Sequence, residues 1–488
     1  MLLERFFDEK LAQTSWLVGC QATGEAIVID PNRDIQQYLE LAAKEGLEIQ
    51  HITETHIHAD FVSGVRELAA KTGATMYLSD EGGDDWRYGY LDDGRSVRLE
   101  DGDVFMVGNV RFEVWHTPGH TPEHVTFVIT DSVTADEPLG AFTGDFLFVG
   151  DVGRPDLLEK AAGVAGTMDG AARQLFASIR RFRDLPDWLQ IWPGHGAGSA
   201  CGKALGAVPQ TTLGYEKRFN WAFKIDDEDA FVDAVLEGQP EPPRYFAEMK
   251  RINREGPPLL GALQRPERLN DARIVDVVDA GGLVIDTRRA AEFTQVHVPG
   301  TISIPLNRSF TTWAGSLVPY DRPFHLLIDA ESAPHALTEA VRDLSMIGLD
   351  RIAGWFSPGA VSAWTTAGRT PGRVETIDAD GVAAALESGA AEVIDVRGRS
   401  EWEAGHLPGV HNIPLATLTD RLSEIPRDRP IVLHCQSGNR SVIATSVLRA
   451  HGFEKTSNYA GGFSGWSRAG RPVQRASETL LDGALRSS

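Results

Sequence analysis

Three good metal ligands fall at alternate positions in Ile52-Thr53-Glu54-Thr55-His56-Ile57-His58-Ala59-Asp60-Phe61: His56, His58 and Asp60. A lone histidine there would be an ordinary solvated loop residue. Clustered imidazole and carboxylate is instead the donor set of a transition-metal site. Three later turns bring more donors: His116-Thr117-Pro118-Gly119-His120-Thr121-Pro122-Glu123-His124, then Thr143-Gly144-Asp145-Phe146, then Trp192-Pro193-Gly194-His195-Gly196. Each contains Gly or Pro, which fixes the backbone sharply. A different chemistry is available at Cys435-Gln436-Ser437-Gly438-Asn439-Arg440-Ser441. A thiol in a loop that opens a helix faces inward N–H groups and the positive helix end. Arg440 adds a fixed charge, and such surroundings favour a thiolate and hold an anionic sulfur species.

The elements that must position these groups can be read from periodicity. An apolar, β-prone segment, Ile49 to Thr55, leads into the first cluster. After it, Val62, Val65, Leu68 and Ala69 fall at helical spacing, Gly73 stops the helix, and Asp60 or Ser63 could cap it. Strands are expected at 15–18, 26–30, 110–115, 124–130, 140–143 and 189–192, and three of them run into the donor-bearing turns. The stretch 220–260 is charged and Pro-punctuated, so it reads as a domain end plus linker. Ile431 to His434 reads as a strand and 442–450 as a helix, which places Cys435 between them.

The chain has 488 residues, enough for about two to four domains. Its net charge of −22 argues against nucleic acid or an anionic membrane as a partner. The three cysteines, Cys20, Cys201 and Cys435, are too widely spaced for a disulfide framework and suit a reducing compartment. No apolar run approaches a membrane span, and the N-terminus is acidic where a signal peptide is basic, so a cytoplasmic protein is expected.

The series His-x-His-x-Asp, Pro-Gly-His-Thr, Thr-Gly-Asp and Pro-Gly-His-Gly resembles the metallo-β-lactamase superfamily over about half the chain. The resemblance implies an αββα sandwich with a metal site at one edge. From Gly144 to Asp156 the chain looks most like persulfide dioxygenases. That likeness implies one ferrous ion, Fe(II), held by His56, His120 and Asp145, with Arg154 near the substrate carboxylates. Arg154 reads equally well as a structural ion-pair residue. The superfamily usually has His after the Asp of the first motif, and this chain has Phe61. Phe cannot bind a metal, so a dinuclear hydrolase of the glyoxalase II kind loses a ligand. His58, Asp60 and His195 are then expected to orient ligands or handle protons from behind. His116 and His124 read as strand-end polar residues, and Cys20 and Cys201 as buried and inert, although Cys201 follows His195 closely enough to stand near the metal.

The second half repeats itself. Val284-Ile285-Asp286-Thr287-Arg288 through His297-Val298-Pro299-Gly300 returns as Val393-Ile394-Asp395-Val396-Arg397 through His406-Leu407-Pro408-Gly409, 109 residues later at Asp286/Asp395 and Pro299/Pro408. Both copies resemble rhodanese domains. In the second, the resemblance implies Cys435 as the nucleophile with Arg440 assisting it, and Gln436, Ser437, Gly438, Asn439 and Ser441 are expected to wrap the substrate sulfur. Four residues separate Cys435 from Arg440, and a loop that short suits sulfur rather than phosphate. The first copy has Leu326-Leu327-Ile328-Asp329-Ala330-Glu331-Ser332 at the matching place, without Cys or a closing Arg, and is expected to be inactive.

The expected fold class is therefore α/β: an N-terminal αββα metallo-β-lactamase domain (1–255), an inactive rhodanese-like domain (266–372), an active one (373–475) and a loose tail (476–488). The resemblance implies an enzyme of sulfide detoxification. It would oxidise a small-molecule thiol persulfide with O₂ to sulfite and exchange sulfane sulfur with sulfite or thiosulfate at Cys435. A homo-oligomer, dimer or tetramer, is the family's tendency. The alternatives are a glyoxalase II-like thioesterase with an attached sulfurtransferase, and a sulfur-binding scaffold without turnover.

Overall fold

The computed structural model describes residues 1–91, 94–157, 159, 166–203, 205–239 and 241–475. The tail expected at 476–488 lies outside them. The chain divides into two compact units, the first made of Met1–Leu263 with Ser345–Gly348, the second of the remainder. Among the described residues no helix is long and apolar enough to cross a membrane.

The first unit contains two six-stranded sheets. One runs in sequence order through β1 (Leu2–Asp8), β2 (Gln13–Cys20), β3 (Glu25–Ile29), β4 (Glu48–Thr53), β5 (Thr75–Ser79) and β6 (Ser96–Leu99). The other runs from β7 (Val104–Val107) through β8 (Val110–His116), β9 (Val125–Asp131), β10 (Gly140–Gly144) and β11 (Gln190–Pro193) to β12 (Thr211–Thr212). Alternation along the strands makes both faces of each sheet apolar. Trp16, Val18, Ile27 and Ile29 of one sheet meet Phe112, Phe127, Phe142 and Trp192 of the other in a shared core. The residues between them point outward. Leu17, Val28 and Ile52 pack under helices α1 (Gln36–Glu45) and α2 (Val65–Thr72). Val128, Ala141 and Ile191 pack under α3 (Met168–Phe182) and α4 (Glu228–Leu236). The result is the αββα sandwich.

Helix α2 begins at Val65, three residues later than the apolar spacing suggests, and neither expected residue caps it. Asp60 is engaged by His195, and the Ser63 hydroxyl donates to Glu54 while accepting the Val65 N–H at 3.2 Å. The Pro-punctuated stretch after 220 is not a free linker. It contains α4 and α5 (Phe246–Glu255). Beyond α5, Arg66 donates to the Pro257 carbonyl at 2.7 Å, and the N–H groups of Leu260 and Gly261 donate to the Glu67 carboxylate at 2.8 and 2.7 Å.

The second unit contains two all-parallel sheets. Their common order is β14 (Ile302–Ser303), β13 (Leu283–Asp286), β15 (Phe324–Leu327), β16 (Ile352–Phe356) in the first copy, and β19 (His411–Asn412), β18 (Glu392–Asp395), β20 (Ile431–His434), β21 (Thr456–Tyr459) in the second. The second adds β17 (Glu375–Ile377) beside β21. Three helices matter below: α6 (Ala290–Gln295), its repeat α7 (Arg399–Ala404), and α8 (Asn439–Ala450), which follows the thiol loop.

Candidate metal centre and thiol loop

The ends of β4, β8 and β10 deliver His56, His120 and Asp145 to one buried point, where their ligand atoms lie within 4.8 Å of one another. Nε2 of His56 is 3.8 Å and Nε2 of His120 3.4 Å from Oδ2 of Asp145. That oxygen is buried and has no hydrogen-bond partner among the described residues. An unpartnered buried carboxylate oxygen facing two imidazole nitrogens fits a cation. Burial, then the neighbouring His58 charge, holds His56 well below the usual imidazole range, and burial lowers His120 too, so both rings are neutral donors. Burial opposes charge on Asp145, but the charge and hydrogen bond of His195 outweigh it and keep the carboxylate ionised.

The turns admit little change. Gly144 has φ +46°, and a Cβ there would stand 2.3 Å from Oγ1 of Thr55 and 2.7 Å from Nε2 of His124. A Cβ on Gly153 would stand 1.8 Å from the Asp145 carbonyl oxygen.

Of the residues expected behind the ligands, His195 and Asp60 line up beside Asp145, and His58 turns to Asp30. His195 lies between two carboxylates, Nδ1 2.6 Å from Oδ1 of Asp145 and Nε2 2.7 Å from Oδ2 of Asp60. Burial opposes its charge, yet these two acids hold its pKa well above the usual value. His58 points away from the cluster, with Nε2 3.1 Å from Oδ1 of Asp30. Despite burial, that bond and the acids nearby push it up to about 9. A second trio, Asp60, His195 and Cys201, also converges. Both nitrogens of His195 are already taken there, and burial, then the Asp145 and Asp60 charges, keeps the Cys201 thiol protonated. Phe61 is buried against the His58 ring, 4.4 Å between centroids.

Arg154 lies fully enclosed. Its Nε and Nη2 donate to both oxygens of Asp156 at 2.8 Å, and Nη1 donates to the Ala200 carbonyl at 3.0 Å. These donors bind protein groups, as a structural arginine's do.

Several participants escape sequence reasoning. Asp30 accepts the Thr55 N–H at 2.6 Å and the Thr55 hydroxyl at 3.1 Å. The same hydroxyl oxygen lies 3.0 Å from Nδ1 of His56, which as an N–H donor leaves the Nε2 lone pair facing the cluster. His124, read as a strand-end residue, accepts the Asp145 N–H at Nε2, 3.1 Å away. Glu123 accepts the Ile57 N–H at 2.8 Å, and Asn253 donates to the His58 and Phe61 carbonyls at 2.7 Å. The available signals were weak: an acid at a strand end in Asp30, and a histidine beside a motif in His124.

In the second unit Cys435 is buried at the end of β20, with Sγ accepting the Gly438 N–H at 3.2 Å and Oγ of Ser441 3.5 Å away. Gly438 closes the loop with φ +92°. Ser437 and Asn439 are exposed. The Gln436 amide is held at both ends, 3.4 Å from Nη1 of Arg397 and 2.8 Å from Oγ of Ser464. Arg440 is paired bidentately with Glu401 at 2.6 and 2.8 Å. In the first copy, strand register sets Leu327 opposite Asp286 as His434 stands opposite Asp395, so buried Ile328 occupies the place of Cys435. Asp329 there binds the Ser332 N–H at 3.1 Å.

The metallo-beta-lactamase superfamily model matches residues 9–195 and the rhodanese-like domain model residues 378–469. The mitochondrial persulfide dioxygenase ETHE1 of Bos taurus is 30% identical over 200 residues, 40% of this chain and 68% of that protein. A hydroxyacylglutathione hydrolase of Gloeobacter violaceus is 34% identical over 176 residues, 36% of this chain and 60% of its own length. A solved metallo-beta-lactamase from Staphylococcus aureus subsp. aureus COL is 42% identical with a TM-score of 0.65, covering 73% of this chain and 99% of that one. The chain spans about half the length, 53%, of the first curated relatives it matches. Four-layered sandwich, converging donors and these likenesses agree: the chain belongs to the metallo-β-lactamase superfamily and carries a rhodanese-like domain behind it.

Proposed function

We propose that the first unit is a persulfide dioxygenase and the second a sulfane sulfurtransferase. The observation that carries the reading is the donor set: two neutral histidines and one ionised carboxylate converge, while His195 is tied to two acids and Phe61 stands where the superfamily's second ion takes a ligand. Two histidines and one carboxylate suit a mononuclear, non-haem iron. An Fe(II) held by His56, His120 and Asp145 would supply open coordination positions for a persulfide sulfur and O₂, and electron exchange between them. The overall change is RSSH + O₂ + H₂O to RSH and sulfurous acid, released as sulfite.

The chain's own groups hold this arrangement. Thr55 fixes the tautomer of His56, and the His124 ring holds the Asp145 backbone. Protonated His195 orients the Asp145 carboxylate and balances the buried charge. At Cys435 a thiolate would attack the outer sulfur of a persulfide or the sulfane sulfur of thiosulfate. The old S–S bond breaks, and thiolate or sulfite departs with the electron pair. The loop N–H groups receive the anionic Cys435 persulfide. The proposal includes a cytoplasmic dimer or tetramer, testable by fractionation and light scattering.

The test is O₂ uptake by full-length protein, loaded anaerobically with iron, on glutathione persulfide, with sulfite and thiosulfate assayed together. Uptake that disappears in His120→Ala is expected. The likeness to hydroxyacylglutathione hydrolases supports a second reading, thioester hydrolysis with two ions. Two zinc ions per chain, hydrolysis of S-lactoylglutathione and no O₂ uptake would establish it instead. Bound persulfide without turnover would favour a scaffold.

A further inference from the structure

The charges around the thiol loop are cancelled in pairs. Arg397 is fully buried, donates to both oxygens of Asp395 and stacks on Phe463. Its Nη2 also donates to the Gly405 carbonyl at 2.7 Å. Arg440, in the first turn of α8 beside the loop, is held by both oxygens of Glu401. The two pairs differ in burial. The Arg397–Asp395 pair is enclosed, whereas the side chains of Arg440 and Glu401 are 24% and 38% exposed, so that pair can open without leaving a charge in a dry interior. The repeat sharpens the point. Glu401 lies 109 residues after Glu292, and each closes the first turn of its helix, α7 or α6. In the inactive copy no arginine closes the loop, and Glu292 binds its neighbour Arg289 at 3.0 Å. The acid thus belongs to the shared framework, while its grip on a loop arginine belongs to the copy with the nucleophile.

We infer that Glu401 sets substrate preference at Cys435 by competing with the substrate for Arg440. This rests on the sulfurtransferase reading above. A persulfide brings its sulfur to the loop with at most one local negative charge, which N–H groups such as that of Gly438 can accept. Thiosulfate brings two. In that reaction the Cys435 thiolate bonds to the sulfane sulfur, the sulfane–sulfonate bond breaks and sulfite leaves with the pair, so charge is −3 on both sides. Stabilising the second charge needs a cation, and Arg440 reaches it by releasing Glu401, whose carboxylate also repels the dianion. Glu401 therefore biases the loop toward persulfides and monoanionic donors. It acts through Arg440 and is a positioning residue.

The test compares two sulfane donors with the same reactive group, thiosulfate (dianion) and benzenethiosulfonate (monoanion), with cyanide as acceptor, on full-length protein. The measured quantity is the ratio of kcat/KM for thiosulfate to kcat/KM for benzenethiosulfonate. In Glu401→Gln the ratio rises about 5- to 10-fold, mostly through a lower KM for thiosulfate, as expected for unmasking one partly exposed charge. The rise shrinks at high salt. It disappears in the double variant Glu401→Gln/Arg440→Gln, whose ratio matches that of Arg440→Gln. Glu401→Asp, a shorter carboxylate, lies between and covers the case in which Glu401→Gln fails to fold. An unchanged ratio in both Glu401 variants, or a rise that survives loss of Arg440, overturns the inference. Transfer from both donors that persists in Cys435→Ser refutes the sulfurtransferase reading instead, so the two failures are distinguishable.

Discussion

Replacing Asp60 by Asn separates a one-ion site from a two-ion site. Asp60 accepts from His195 at 2.7 Å, and His195 reaches Asp145 at 2.6 Å, with all three side chains buried. The amide keeps an oxygen for Nε2 but removes a charge. A hydrogen bond between charged partners is worth about 1.5–3 kcal/mol and a neutral one about 1, so the metal-free protein should lose about 0.5–2 kcal/mol. The histidine ring then has one anionic anchor, and Asp145 is oriented less firmly. Changes behind a ligand typically weaken metal binding about 10- to 100-fold, or about 1.4–2.8 kcal/mol. The assay is anaerobic chelator competition with Fe(II), beside total metal per chain and calorimetric melting of the metal-free form. Wild type and Asp60→Asn should both saturate at one ion, the variant more weakly. Two ions in wild type falling to one in the variant would make Asp60 a ligand and refute its action through His195. An affinity within twofold of wild type would refute it as well.

In Gly144→Ala the new Cβ meets Thr55 and His124 at a positive φ, so the variant should lose about 3 kcal/mol of stability and most bound metal, measured by melting and metal content. Glu123 is raised by burial from 4.5 to about 7. Its buried form prefers the proton, so wild type loses stability as pH rises from the unfolded value through the folded one. Between pH 5 and 8 that loss is about 2–3 kcal/mol for a shift of this size. Glu123→Gln lacks it, and the difference in melting temperature between variant and wild type should grow over that interval. A gap independent of pH would refute the assignment. Ile328→Cys in a Cys435→Ser background places a thiol at the matching strand end, but Asp329 already takes the Ser332 N–H there, so cyanide-coupled sulfur transfer should stay at background.

The chemistry was legible where the backbone is punctuated. His120, Asp145 and Cys435 sit in Gly- or Pro-bearing turns beside apolar strands, and His56 opens a His-x-His-x-Asp series, so local spacing alone singles them out as candidates. The groups that hold them were not legible, because they come from distant turns. Asp30 reaches Thr55 and His58 across 25 and 28 residues, Asn253 reaches the His58 carbonyl across 195, and Glu401 reaches Arg440 across 39. A carboxylate in sequence carries no mark of which cation it will meet. The first unit's reach to Leu263 was hidden for a related reason: 257–261 looks like linker, and what anchors it is the Glu67 carboxylate and Arg66 on α2.

The duplicated copy without a cysteine also has a physical reason to persist. Helix α8 is buried continuously from Ser441 to Leu448, so a sheet on one side cannot cover it. One side packs on β20 and β21 of its own sheet, the other on β14 and α6 of the first copy. Phe293 and Val374 close over Val442, and the Ser303 N–H donates to Oγ of Ser446 at 2.9 Å. Burying residues such as Phe293 and Val442 contributes about 1.5–3 kcal/mol each, and uncovering them would leave an apolar strip beside the thiol loop. The start of α8 fixes the Gly438 and Ser441 donors around Cys435, so whatever holds α8 also holds the loop. The segment around Ile328 has no thiol to position, whereas β14 and α6 are held under constraint as the far wall of α8.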